Sequence, residues 1–156
     1  MASVQLIQVK EEVAQAAEKV WKYHVKYMDT EVHASMRSHF TSFRHIQGPP
    51  LTPGSIVMVT YGQEFPHYKF MKFRWDEINH EQHRYKNTII DGGLLNKHFS
   101  HLSYTFNILP GSTAESCVMV FGIEYVDKHD HAEHHILKEE LEKFIRMFEA
   151  HLRNKE

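Results

Sequence analysis

The chain has 156 residues, 42% apolar and 24% charged, which is one domain's worth of ordinary globular sequence. A chain of that size buries roughly 68–70% of its unfolded surface and folds without a disulfide or metal staple. Its formal charge of −2 carries no basic stripe, and its longest stretch without a charged residue holds Pro49, Pro50 and Pro53, so neither a nucleic-acid partner nor a membrane-spanning helix is expected.

In chain order, Val4–Val9 is short and branched and predicts a strand, while Val13–Val25 spaces Val13, Ala17, Val20 and Trp21 as a helix does. Asp29 and Thr30 supply cap chemistry for a second short helix ending near Ser38. From Phe40 to Val126 the pattern turns to strands, separated by Gly48–Gly54, Gly62–Pro66, Asn79–Glu81, Asp91–Gly93 and Pro110–Ser112. Six strands joined by short connections are antiparallel neighbours. The clearest places Leu102, Tyr104, Phe106 and Ile108 on one face and His101, Ser103, Thr105 and Asn107 on the other. Asp130 and Glu133 then form a capping signature for an amphipathic helix whose stripe is Ile136, Leu137, Leu141, Phe144, Ile145, Phe148 and Leu152. The result is an α+β domain, a curved antiparallel sheet wrapped around the last helix, with more concave surface than one helix fills. The single cysteine, Cys117, can form no internal disulfide, and the start of the chain lacks a leader pattern, so a reducing cytoplasm is the expected location.

Phe65-Pro66 leading into Lys69–His80, the Tyr85–Gly93 segment ending Ile-Ile-Asp-Gly-Gly, and the C-terminal amphipathic helix resemble the Bet v 1-like superfamily of plants, which includes the pathogenesis-related class 10 and major latex protein-like groups. The resemblance spans nearly the whole chain. It implies one Bet v 1-like (START-like) domain over 1–156 with a helix-grip fold: a seven-stranded antiparallel curved sheet around a long C-terminal helix, two short helices after the first strand, and an internal hydrophobic cavity. It further implies intracellular, defence-related binding of a hydrophobic small molecule, a specialised metabolite or hormone-like compound, by a monomer or weak dimer without a cofactor. The loop Gln47–Gly54 departs from the family's glycine-rich pattern. Its three prolines remove amide donors, which argues against a backbone anion cradle.

Carried over position by position, the inward residues are Phe70, Phe73, Tyr85, Asn87, Leu102, Tyr104 and Phe106 from the strands and Leu137 and Leu141 from the helix. Such a wall suits a flat apolar ligand with a few polar edges; the alternative is that these side chains simply fill the core. Where the family's norcoclaurine synthase uses a lysine, a glutamate and an aspartate for proton transfer, the corresponding positions here hold Tyr85, Phe73 and Tyr104, which disfavours Pictet–Spengler condensation.

Fourteen histidines are the one abnormal count. Strand parity places His83 with Tyr85 and His98 with Tyr104, so a cofactor-free cyclase or isomerase with a histidine base and a tyrosine acid is the alternative function, its candidate catalytic residues being His83, His98, Tyr85 and Tyr104. His67, beside Tyr68, stands where it could line the entrance. The His129–His135 cluster includes a His131/His135 pair four apart but matches no zinc motif, and a solvated helix cap accounts for it without a metal. Cys117 shares parity with Met119, Phe121 and Ile123 and is expected to pack as a small apolar group. A defence or interaction protein whose cavity has no dedicated ligand is the third reading.

Overall fold

Ile7, Val9 and Val13 alternate with Gln8, Lys10 and Glu12, and that period of two makes the first element a strand throughout. In the computed structural model, which describes residues 4–27, 39–65, 69–95, 98–128 and 134–153, strand β1 spans Gln5–Val13 and helix α1 spans Ala17–Tyr27. The helix therefore begins later than the spacing around Val13 predicts. The reason is the ladder: β1 pairs antiparallel with β7 (Cys117–Asp127) from Gln5↔Tyr125 to Val13↔Cys117, so its backbone groups are already satisfied. Glu12 serves the outer side, where its carboxylate accepts from the Ser112 hydroxyl at 2.7 Å and ties down the turn before β7.

The remaining strands are β2 (Phe40–Gln47), β3 (Ile56–Tyr61), β4 (Phe70–Asn79), β5 (Arg84–Gly92) and β6 (Phe99–Pro110). All pairings are antiparallel in one seven-stranded sheet of order β1-β7-β6-β5-β4-β3-β2. Helix α2 (His134–Arg153) lies against the concave face and buries Ile136, Leu137, Leu141, Ile145, Phe148 and Leu152. Gln15 fixes the β1–α1 connection to the end of α2 by donating to the Leu152 carbonyl at 3.1 Å. The predicted second short helix and the Asp130/Glu133 cap lie outside the described residues. Among the described residues no helix is long and apolar enough to cross a membrane.

The Gln47–Gly54 loop spends its polar groups on itself and on the sheet. The Thr52 hydroxyl donates to the Pro49 carbonyl and the Ser55 hydroxyl to the Thr52 carbonyl, both at 2.7 Å, while the Gly54 amide donates to the Trp75 carbonyl. On the convex face Lys86 and Ser103 both donate to the Glu124 carboxylate, at 2.9 and 3.0 Å, linking β5, β6 and β7.

At Gly92 a positive φ coincides with a close approach of the neighbouring backbone. Its φ is +78°, and a Cβ there would meet the Phe70 carbonyl oxygen at 2.5 Å. Gly92→Ala is therefore expected to lower stability by roughly 1–3 kcal/mol, read as a shift in urea midpoint with unchanged m-value. An unchanged midpoint would show that the β4–β5 end adapts freely.

Candidate functional site

The concave face of the sheet and α2 do not close completely. A cavity of about 110 Å³ remains between them. Its floor comes from strand positions of one parity: Asn87, Tyr104 and Ile123 are register partners across β5, β6 and β7, and Val59 and Met71 are partners across β3 and β4. Leu137, Glu140, Leu141 and Phe144 of α2 form the opposite wall.

Phe73, Tyr85, Asn87, Tyr104, Leu137 and Leu141, all expected to face inward, line this cavity. Leu102 and Phe106 are also buried, each 1% exposed, but lie outside its lining. Phe70 was expected inside and instead is 39% exposed. It sits one residue out of phase with Met71, Phe73 and Trp75, which take the buried face of β4, and Met71 occupies the wall in its place.

Neither candidate histidine reaches the cavity. His83 belongs to the β4–β5 turn, with φ +52°, so strand parity does not apply to it; its ring lies 5.6 Å from Trp21. His98 lies in the turn before β6, and a register shift between Phe99 and His101 breaks the parity count that would have aligned it with Leu102 and Tyr104. His67 lies outside the described residues, as do residues 129–133 of the histidine-rich cluster, while His135 is exposed. Among the described residues no three His, Cys, Asp or Glu side chains are grouped to hold a metal ion. Cys117 is buried, and burial raises its thiol pKa.

The structure brings forward a histidine that the sequence reading passed over. His24, fully buried on α1, stacks on Phe106 with ring centroids 3.8 Å apart, and its Nε2 lies 2.7 Å from the Tyr85 hydroxyl. Burial holds its pKa far below the usual value, at about 3, so the ring is uncharged at neutral pH. Helical spacing was the available signal: His24 continues the buried stripe of Val20 and Trp21. Tyr85 thus touches the cavity with its ring and His24 with its hydroxyl, and it packs edge-to-face on Trp75 at 5.0 Å.

The other polar groups converge at the α2 side. Tyr61 is kept protonated: burial raises its pKa well above the ordinary value, and Tyr104 and Glu140 add to the effect. Glu140 is 6% exposed, an unusual setting for a carboxylate. Lys143 lies at the edge, donating to the Glu64 carbonyl at 2.6 Å, with its ammonium 3.8 Å from Glu140 Oε1 and 5.6 Å from the Phe65 ring centre. The whole is an aromatic chamber with phenols, one amide and one carboxylate on its wall.

Comparison with known proteins agrees with this architecture. Major pollen allergen Bet v 1-B of Betula pendula is 27% identical over 140 residues, covering 87% of this chain and 86% of that protein. Major latex-like protein 151 of Panax ginseng superposes with a TM-score of 0.72 at 14% identity, over 95% of this chain and 97% of that one. Norcoclaurine synthase of Thalictrum flavum, in complex with dopamine and hydroxybenzaldehyde, gives a TM-score of 0.72 at 20% identity, over 99% of this chain and 90% of that one, a likeness of fold alone. The model of the pathogenesis-related protein Bet v 1 family matches residues 2–155, and with the seven-stranded sheet gripping α2 this chain belongs to the Bet v 1 family.

Proposed function

We propose that the protein binds a hydrophobic small molecule about one ring in size, a specialised metabolite or hormone-like compound, between the sheet and α2. The observation that carries this reading is the 110 Å³ cavity walled by aromatic side chains, with Tyr61, Asn87 and Tyr104 among its polar groups. Size decides the class of ligand. An apolar cavity of about 150 Å³ holds benzene, whereas drug-sized ligands occupy pockets of about 300–1,000 Å³. A polycyclic ligand would require α2 to move away from the sheet. A role in defence within the cytoplasm is the setting that the family likeness favours.

Trp75 supplies a reporter, because it is fully buried against Phe73 and Tyr85 of the cavity wall. Titration with one-ring compounds such as toluene is expected to change its fluorescence saturably. Leu141→Trp, which fills the chamber from α2, is expected to weaken binding more than about tenfold while the circular dichroism spectrum is retained. Unchanged binding in that variant would place the ligand elsewhere, and absence of binding by every one-ring compound would overturn the reading.

Cofactor-free cyclisation or isomerisation is the second reading, favoured by the His24–Tyr85 contact beside the cavity. A histidine with a pKa of about 3 is a weak base at neutral pH, so His24 would orient the Tyr85 phenol and the phenol would polarise a carbonyl oxygen. Turnover lost in both Tyr85→Phe and His24→Gln, with binding retained, would raise this reading above simple binding.

A further inference from the structure

We propose that Asn87 makes the cavity selective for a ring that carries an N–H donor and a C=O acceptor side by side, as a lactam or other cis amide does, an inference that rests on the binding reading above. Asn87 stands between Tyr85 and Ile89 in the inward series of β5, where an apolar side chain would simply complete the core. It is 5% exposed and lines the cavity. Among the described residues nothing hydrogen-bonds its side-chain amide. That sets it apart from His24, which meets the Tyr85 hydroxyl, from Ser55, which donates to the Thr52 carbonyl, and from Ser103, which donates to the Glu124 carboxylate. Its register partner on β4 gives it no bond either: Trp75 packs edge-to-face on Phe73 and Tyr85, and its indole N–H has no acceptor.

An amide without a partner in an apolar interior is costly, so the partner must come from whatever enters the chamber. Asparagine offers an acceptor oxygen and an NH₂ donor in one plane. A group that meets both at once needs its own donor and acceptor on neighbouring atoms, which is the pattern of a cis amide. Water entering the free protein pairs with the amide. A purely apolar ring displaces that water and leaves both Asn87 atoms unpaired, whereas a lactam replaces both bonds while its ring packs on Phe73, Phe121 and Ile123. The 110 Å³ of the chamber limits the ligand to one such ring.

2-Pyridone, 4-pyridone and toluene are rings of equal size that make the test set: the first carries N–H and C=O side by side, the second carries them at opposite ends, and the third carries neither. Asn87→Leu, close to asparagine in shape, is expected to weaken 2-pyridone binding at least about tenfold and 4-pyridone binding no more than about fivefold, and to leave toluene binding no weaker. In the wild-type protein, 2-pyridone is expected to move the Asn87 side-chain amide proton resonances downfield while toluene does not, a readout that needs no variant to fold. If toluene binds and 2-pyridone does not, if Asn87→Leu weakens 2-pyridone no more than it weakens 4-pyridone or toluene, or if 2-pyridone leaves the Asn87 resonances in place, Asn87 does not set selectivity and the binding reading stands alone. If none of the three compounds binds the wild-type protein, both readings fall.

Discussion

Acidification from pH 7.5 to pH 5 is expected to remove about 2 kcal/mol of folding stability through His24 alone. In the folded chain burial holds its pKa at about 3, against 6.5 for an unperturbed imidazole. The unfolded chain takes up a proton below pH 6.5 that the folded chain refuses until pH 3. The stabilising contribution is therefore complete above 6.5, falls by about 1.4 kcal/mol per pH unit below it, and stops changing once the folded ring itself protonates. The cause is geometric: the imidazole is stacked between Phe106 and the edge of Phe148, with the Tyr85 hydroxyl at 2.7 Å, and a charge there would lose its hydration. Urea unfolding of wild type and His24→Gln at the two pH values isolates the effect, since every other group is common to both proteins. The stability difference between the two proteins is expected to shift by about 2 kcal/mol in favour of the variant on acidification. Parallel pH profiles would mean that the ring opens to water without global unfolding.

His24 also shows where the sequence was legible and where it was not. Elements with one strong period could be read directly: the alternation of Leu102, Tyr104, Phe106 and Ile108 gave β6, and the stripe from Ile136 to Leu152 gave α2. The family resemblance supplied the seven-stranded topology around them. Positions read by counting parity across a turn or bulge did not survive, because parity holds only within an unbroken ladder. His83 sits in a turn and His98 beyond the Phe99/His101 register shift, so both were counted through a break. Phe70 was assigned inward by carrying positions over from the family resemblance, while the alternation of Met71, Phe73 and Trp75 gives that face to its neighbours. His24 and Glu140 were passed over for a different reason. Each is a polar residue on an otherwise apolar helical face, and helix amphipathicity alone cannot tell a satisfied core polar group from a solvated one. Only the opposing sheet, with Tyr85 against one and Tyr61 and Tyr104 near the other, gives them their chemical setting.

Phe106→Ala is expected to have the largest effect of any single truncation considered, about 3–5 kcal/mol of lost stability, a sizeable part of the roughly 5–15 kcal/mol that holds a domain folded. Phe106 is 1% exposed and pairs in register with Tyr85 on one side and Phe121 on the other. Its ring lies 3.8 Å from His24, 4.9 Å from Phe121 and 5.6 Å from Tyr85, measured between centroids. These neighbours sit on a stiff antiparallel ladder and cannot collapse into the gap, so the loss of dispersion contacts adds to the lost burial. Tyr85 and Phe121 also line the existing cavity, which makes Phe106 the partition between that cavity and the His24 side of the core. Its removal is expected to enlarge the cavity toward His24 by the volume of the ring and admit a two-ring compound such as naphthalene, which the wild-type chamber is too small to take. Phe106→Leu keeps most of the volume and is expected to cost less than about 1.5 kcal/mol and to keep naphthalene out. Urea denaturation and naphthalene titration of the two variants read both consequences. Loss of stability without naphthalene binding would show that the vacated volume does not open into the cavity, and a loss under about 1 kcal/mol would show that the ring is not packed as its neighbours require.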